Sequence, residues 1–412
     1  MFDESSAPAM KELSQSWKKR GATVVTGRAE LPETRFTVAV ISPGVDPRRP
    51  VVVQLEKAGI PMIGELELGS RGCLCPIVAV TGTNGKSTTT ELIDAIFRAA
   101  GKKSVACGNL GRPLCEVAPL SGGLDYAVAE VSSFQLETIE TFRPRVAVYL
   151  NLTPDHLDRY ADMKEYASAK NRIFQNQTSG DLAVIQKGLK LPVLRSRVVT
   201  FSATEPTADY TLREGWLCAG GERVLPQAET NLRGPHNAEN LLAALAVADA
   251  EKISRDAVRK ALATYRPLPH RCEVVAVRRG VTWVNDSKAT NLDAMERAVA
   301  GMNGPVILIA GGKDKGFDFS ESRNALQGKL KAALLLGEMA EKIERAWAGA
   351  WPCRRVGDLG EAVRQAEKMA QTGDTVLLSP GCSSYDMFKN FEDRGERYRQ
   401  CVNALPKEEN RK

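Results

Sequence analysis

The chain has 412 residues, of which 43 % are hydrophobic and 26 % charged, and its formal net charge is only +6. It is too long for one typical domain and has the balance of a globular enzyme, so two or three domains are expected. The basic excess is spread rather than blocked, which gives no case for a nucleic-acid partner and slightly favours a small anionic substrate. No apolar run approaches the ~20 residues of a membrane span. Nine cysteines lack regular spacing, and Cys73-Leu74-Cys75 is too tight for the usual zinc knuckle. They read as reduced thiols of a cytoplasmic protein.

Residues 1–66 read as a helix over 10–20, strands over 23–26 and 38–41, a helix over 50–58 and a strand over 61–63. That order predicts a parallel sheet with crossover helices, although about 65 residues make a marginal core alone.

The segment 67–267 is organised around Thr81-Gly82-Thr83-Asn84-Gly85-Lys86-Ser87-Thr88. The β-branched run before it predicts a buried strand, Gly82 and Gly85 allow a tight turn, and a helix follows from Ser87. Such a strand–turn–helix aims backbone N–H groups and a helix N-terminus at a phosphate. Lys86 would reach the outer phosphates and the Ser87 hydroxyl would hold Mg²⁺. The strict Walker pattern needs a glycine where Val80 stands, so this is the shorter Gly-x-x-Gly-Lys-Ser form. A second buried strand over 125–130 ends in Glu130. A third over 145–151 runs into Asp155, His156 and Asp158. Ligands gather at the carboxyl ends of strands in open α/β sheets, and both ends carry groups able to hold a divalent metal. A helix over 163–176 contains Lys170, a small meander covers 209–224, and Gly234 to Asn240 opens an apolar helix over 241–247.

The segment 268–412 predicts a second Rossmann-like sheet with strands over 281–285, 306–310, 332–336 and 375–379, hinged at 268–271. Polar loops follow three of these strands: Asn285 to Asn291, Gly311 to Gly316 and Ser379 to Ser384. Three at equivalent strand ends suggest a ligand site. The final helix is expected to carry Phe388, Phe391, Tyr398 and Val402, and the tail after Pro406 to fray.

His156, His236 and His270 are the three histidines, each expected in a polar loop. A metal role suits His156 beside Asp155, while His236 and His270 stay undecided between structure and function. Lys170 by composition alone is a solvated helical lysine. An ammonium beside Mg²⁺ would be repelled, whereas a carbamylated lysine would present a carboxylate.

Taken together, the phosphate turn, Glu130-Val-Ser132-Ser-Phe-Gln-Leu-Glu137, Leu150 to Tyr160, Pro269-His-Arg271, Asn285-Asp286-Ser-Lys288-Ala-Thr290-Asn291 and Ser379-Pro-Gly-Cys-Ser-Ser384 resemble the Mur ligases, and among them the D-glutamate-adding members. The resemblance runs from about residue 1 to 405. It implies a three-domain α/β architecture: a UDP-substrate domain over 1–66, a central ATPase domain over 67–267 and a D-glutamate domain over 268–412. It implies ATP-dependent joining of D-glutamate to UDP-N-acetylmuramoyl-L-alanine through an acyl phosphate, by a monomer.

By the same resemblance, Gly82 to Thr88, Asn237, Asn240, Arg271 and Asp286 would contact ATP. Ser87 and Glu130 would hold one Mg²⁺, and His156 with carbamylated Lys170 a second. Lys86 and Lys288 would steady charge during phosphoryl transfer. Thr290, Lys315, Ser384 and Phe391 match the D-glutamate site. Ser42-Pro43-Gly44, Asn109 and Ser132 match contacts to the UDP-sugar. A Rossmann-like first domain opens with a strand, a glycine-rich turn and a helix, whereas here no strand precedes Met1 and no Gly-x-Gly appears before Gly21. That opening is expected upstream of residue 1, leaving this form a weak hold on the UDP-sugar. A folylpolyglutamate synthase-like ligase and a non-catalytic nucleotide-binding paralogue are the alternatives. The first lacks the 285–291 match, and the intact Lys86, Glu130, His156 and Lys170 set argues against the second.

Overall fold

A computed structural model describes residues 1–406 apart from 5–7, 29, 33–35, 47, 158, 233 and 267. Asp158 and the tail therefore lie outside the described residues. At the N-terminus, β1 (Phe2–Asp3) pairs in parallel with β2 (Val25–Thr26), and β3 (Ala39–Ile41) with β4 (Met62–Gly64). The single parallel sheet expected there is thus two separate pairs. Strands of two or three residues bury little, and Val38 and Val40 stay exposed.

Nine strands form the central sheet: β5 (Ile77–Thr81), β6 (Ser104–Gly108), β7 (Tyr126–Glu130), β8 (Val146–Tyr149), β9 (Leu182–Gln186), β10 (Arg197–Ser202), β11 (Tyr210–Arg213), β12 (Trp216–Ala219) and β13 (Glu222–Pro226). Their order is β13-β12-β11-β10-β9-β8-β5-β7-β6, parallel from β6 to β11 and antiparallel from β11 to β13. β5 is wholly buried, as a strand covered on both faces must be, and accordingly reads as a continuous apolar run. One face packs Leu92, Ile96 and Phe97 of the Lys86–Ala99 helix with Leu241 and Leu245 of the Pro235–Ala250 helix. That second helix is apolar all round because it is buried all round, from Leu241 to Ala248. The other face packs Leu66, Leu114, Leu136, Phe142 and Tyr149.

The last sheet contains β14 (Glu273–Arg278), β15 (Val281–Asn285), β16 (Val306–Ala310), β17 (Leu330–Leu335), β18 (Cys353–Arg355) and β19 (Thr375–Leu378). The order is β14-β15-β19-β16-β17-β18, with only β14 antiparallel to its neighbour. Helices cover both faces, burying Met295, Phe319 and Trp347 on one and Trp283, Val363 and Tyr398 on the other. The final helix spans Phe391–Asn403, so Phe388 precedes it rather than riding on it. Among the described residues no helix is long and apolar enough to cross a membrane.

Candidate active site

The phosphate turn follows β5 as the glycines predict. Gly82 and Gly85 have φ of +148° and +84°, and a Cβ on Gly85 would stand 2.2 Å from Asn240 Oδ1. Only glycine fits there without moving Asn240. Asn151, at the end of β8, fixes the turn: Oδ1 accepts from the backbone N–H groups of Thr83 and Asn84 at 3.1 and 2.8 Å. Its Nδ2 donates to Asn84 O at 3.0 Å, so the amide pairs with the loop as another strand would. Lys86 folds over the turn, donating to the carbonyls of Gly82 and Thr83 at 3.0 and 2.7 Å.

Around this turn the charges are buried. Glu130 is 3 % exposed and accepts from Asn109 Nδ2 at 2.8 Å, while its Oε2 has no hydrogen-bond partner among the described residues. Burial alone would raise the Glu130 carboxyl pKa, but the ammonium groups of Lys86 and Lys288 outweigh it and the carboxylate is held below its usual range. His156 sits at φ +56° with its ring edge-on to Phe134. Burial, opposed by Asp155 and aided by Lys315, lowers its pKa to about 4, so the imidazole is neutral at pH 7. Lys170, from the Met163–Asn171 helix, donates to Gly82 O at 2.8 Å over the Tyr166 ring. It is 1 % exposed, and burial with Lys86 nearby pushes its pKa well below the usual lysine range. No group of three or more His, Cys, Asp or Glu side chains gathers as a ready metal cage among the described residues. The lone buried Glu130 oxygen beside Ser87 suits Mg²⁺, which takes few protein ligands and keeps water and phosphate oxygens for the rest.

The C-terminal sheet meets this cluster with its own strand ends. Lys288 donates to Ser87 Oγ at 3.1 Å and lies 4.8 Å from the centre of the Phe391 ring. Burial, with Arg271 adding repulsion, lowers the Lys288 pKa to about 8. Arg271 donates to Thr88 Oγ1 at 3.2 Å. Asp155 accepts from Lys315 at 3.1 Å and from Asn291 Nδ2 at 3.0 Å. Asn84, Gly85, Thr88, Asn237, Asn240, Arg271 and Asp286 all line one cleft of about 350 Å³ between the two sheets. In it, burial raises the Asp286 carboxyl to about 6 against hydrogen bonds from Ser379 and the Cys272 N–H.

Ser42 and Pro43 line a separate cavity of about 360 Å³ with Phe134, Glu137 and Arg159. Ser132, the neighbour of that wall, caps the Ser133–Leu136 helix by accepting from Gln135 N. Gly44 is exposed and outside that lining. Ser384 is buried and Thr290 half-buried in the loops after β19 and β15.

One histidine expectation needs correction, and an undecided one is resolved. His236 belongs to the first turn of the Pro235–Ala250 helix, where Pro235 occupies the opening position that proline tolerates, and it faces the cleft rather than standing in a loop. His270 is structural: it is buried at φ +64°, its Nδ1 2.9 Å from Asn285 Nδ2 and packed on Gly395, which turns its neighbour Arg271 into the cleft. The sequence reading missed Asn151 as the clamp of the turn and Asn291 and Asp155 as cross-sheet partners. Asn151 carried a signal, a polar residue closing an apolar strand run, whereas Asn291 and Asp155 lie farther out in the loops after β15 and β8 and carried none.

The chain matches the Mur ligase middle domain over residues 80–248 and the Mur ligase glutamate ligase domain over 270–382. The UDP-N-acetylmuramoylalanine–D-glutamate ligase of Myxococcus xanthus is 43 % identical over 422 residues, covering 98 % of this chain and 92 % of the relative. The ligase of the same description from Syntrophotalea carbinolica is 43 % identical over 374 residues, covering 89 % and 83 %. Among solved structures, the UDP-N-acetylmuramate–alanine ligase of Thermotoga maritima superposes with a TM-score of 0.63 at 17 % identity, covering 98 % of this chain and 99 % of that one. The folylpolyglutamate synthase of Mycobacterium tuberculosis, complexed with ADP and AMPPCP, gives 0.60 at 18 % identity, covering 76 % and 90 %. The two structures share the fold, and the relatives share the sequence across nearly all its length: the chain belongs to the Mur ligase family.

Proposed function

We propose that this chain joins the amine of D-glutamate to the alanyl carboxylate of UDP-N-acetylmuramoyl-L-alanine, converting ATP to ADP and phosphate, as a step of peptidoglycan precursor synthesis. The observation that carries this reading is the meeting of Lys288 with Ser87, which joins the second sheet's loops to the phosphate turn in one cleft. Relatives named for this reaction, 43 % identical over most of the chain, support the choice of substrates.

A carboxylate is a poor acyl donor, so the alanyl oxygen first attacks the γ-phosphorus and ADP leaves. The amine of D-glutamate then adds to the acyl phosphate, and the tetrahedral intermediate expels phosphate. Gly82, Thr83, Asn84, Gly85, Thr88, Asn237, Asn240, Arg271 and Asp286 hold the nucleotide. Lys86 and Lys288 bring positive charge to the transferring phosphoryl oxygens. Ser87 and Glu130 would hold one Mg²⁺, and His156 with Lys170 a second if that lysine is carbamylated. Bound Mg²⁺ supplies neutralisation of phosphate charge. Lys170 favours carbamylation because its buried amine has no acid within ion-pair distance among the described residues. Thr290, Lys315, Ser384 and Phe391 receive D-glutamate, with Lys315 exchanging Asp155 for a substrate carboxylate. Ser42, Pro43, Gly44, Asn109 and Ser132 face the UDP-sugar.

We read domains over 1–66, 67–267 and 268–412, supported by separate sheets and by separate cores in the second and third, while Leu66 at the first boundary packs into the central core. The same reading takes the enzyme to act as a monomer. Nine unpaired cysteines agree with a cytoplasmic setting. The test is phosphate release with each substrate withheld in turn. Release that requires both D-glutamate and UDP-N-acetylmuramoyl-L-alanine is expected. Release driven by a folate and L-glutamate, or none with any acceptor, overturns the reading.

A further inference from the structure

Asp293 belongs to none of the residue sets above. It stands in the first turn of the Leu292–Gly301 helix on the C-terminal sheet, yet its carboxylate reaches the other sheet's loops. Oδ2 accepts from Asn84 Nδ2 at 2.5 Å and from Thr153 Oγ1 at 3.3 Å. Oδ1 accepts from Arg297 Nε at 2.9 Å, which fixes the carboxylate on its own helix. One side chain therefore holds the loops after both β5 and β8.

The division of labour at Asn84 makes this contact informative. Its main chain is held from the central side by Asn151, through both its N–H and its carbonyl. Its side chain is left to meet the C-terminal helix. That helix start is itself fixed, since Asn291 Oδ1 caps the Ala294 N–H at 2.9 Å while Nδ2 reaches Asp155. A carboxylate beside a triphosphate loop is otherwise unfavourable. It is tolerated here because three donors, one of them a guanidinium, face it. Hydrogen bonds to an ionised acceptor are about twice as strong as neutral ones, so the contact suits a clasp between separate bodies.

We propose that Asp293 is a positioning residue for the ligation, clasping the phosphate loop and the loop after β8 to the C-terminal sheet so that Lys288 and Lys315 arrive at the reacting groups. It touches no substrate and acts through Asn84 and Thr153. The inference rests on the ligase reading above.

The test compares Asp293→Ala, Asp293→Asn, Asn84→Ala and the double alanine variant. Asp293→Ala is expected to lower kcat roughly tenfold to a hundredfold, the range for losing a hydrogen bond to a charged group, while KM for ATP and the melting midpoint stay at wild-type values. Asp293→Asn keeps one acceptor oxygen but loses the charge, and should fall between Asp293→Ala and wild type. In the double variant the loss should fall short of the product of the two single losses, because the side chains share one contact while Asp293 also holds Thr153 and Asn84 also meets Asn291. Small-angle scattering with a non-hydrolysable ATP analogue and UDP-N-acetylmuramoyl-L-alanine should show compaction in the wild type and less in Asp293→Ala. Wild-type kcat and compaction in Asp293→Ala, or losses that multiply in the double variant, overturn the clasp. Scattering with the ATP analogue alone keeps the outcomes distinct. If the wild-type chain releases no product, the ligase reading fails, while compaction lost in Asp293→Ala still supports the clasp.

Discussion

Lys170 is buried with a carbonyl, Gly82 O, as its hydrogen-bond partner among the described residues, and a free ammonium is costly to keep there. If it works as a carbamate, Lys170→Ala should lower turnover by roughly 10²–10³-fold, the usual loss for one preorganised charged group. A short carboxylic acid such as formate should restore part of the rate. Carbon-13 NMR of wild-type enzyme in labelled bicarbonate should show a carbamate signal that the variant lacks. Near-normal ligation by Lys170→Ala would remove the residue from the mechanism. Glu67 does a different job with a buried charge. Its carboxylate accepts from the backbone N–H groups of Glu140, Thr141 and Phe142 and from the Thr141 hydroxyl, and Arg71 pairs with it. Burial alone would raise its pKa, but those donors outweigh it and lower it to about 2. Because the folded value is depressed, the stabilisation is present above about pH 4.5 and lost as pH falls toward 2. Glu67→Gln should cost about 1–3 kcal/mol in denaturant at pH 7, and the gap from wild type should close as pH falls. A gap independent of pH would contradict the assignment. Neither environment was legible in the sequence. Lys170 and Gly82 are 88 residues apart, and Glu67 meets donors more than 70 residues on. What the sequence did carry were residues whose role is local, such as Gly82, Gly85 and Lys86, because the turn is made by neighbours.

Both large sheets end their ligand-bearing strands with the same device. Gly108, closing β6, has φ +92°, and a Cβ there would stand 2.3 Å from Glu130 O; Gly311, after β16, has φ +113° with a Cβ 2.1 Å from Leu336 O. In each case the absent side chain lets a loop turn across the neighbouring strand's last carbonyl. Gly108→Ala should therefore push the end of β7 and displace Glu130. The expected result is a loss of roughly 1–3 kcal/mol of stability and a drop in turnover larger than that of Gly101→Ala, whose Cβ would meet nothing within 4 Å. Equal behaviour of the two variants would contradict it. At this scale much was readable: β5, β7, β8, β16 and β19 are apolar runs bounded by polar loops. β6, β9, β10, β14 and β18 were missed; β14 and β18 are edge strands, β14 leaving Val274 and Val277 exposed despite its apolar run and β18, Cys353-Arg354-Arg355, leaving its two arginines exposed. The helix holding His236 was read too short because its proline and polar first turn resemble a loop until the buried run from Leu241 is seen to continue it.

Across the molecule, the two large sheets bring their polar strand-end loops together, and the proposed chemistry is divided between them. The central sheet brings Lys86, Ser87, Glu130 and Lys170; the C-terminal sheet brings Arg271, Asp286, Lys288 and Lys315. The sequence announced each half through its loops but not their contact, since the pairs Ser87–Lys288 and Asp155–Lys315 span 201 and 160 residues. The central claim is that this joint cleft activates a carboxylate as its acyl phosphate before the amine attacks. The direct measurement uses UDP-N-acetylmuramoyl-L-alanine labelled with ¹⁸O in the alanyl carboxylate, with the enzyme, ATP, Mg²⁺ and D-glutamate. The carboxylate oxygen that attacks phosphorus leaves with it, so mass spectrometry should find one ¹⁸O in each phosphate released and one retained in the amide product. Unlabelled phosphate, with both labels remaining in recovered substrate, would mean that ATP is hydrolysed by water and would contradict the account.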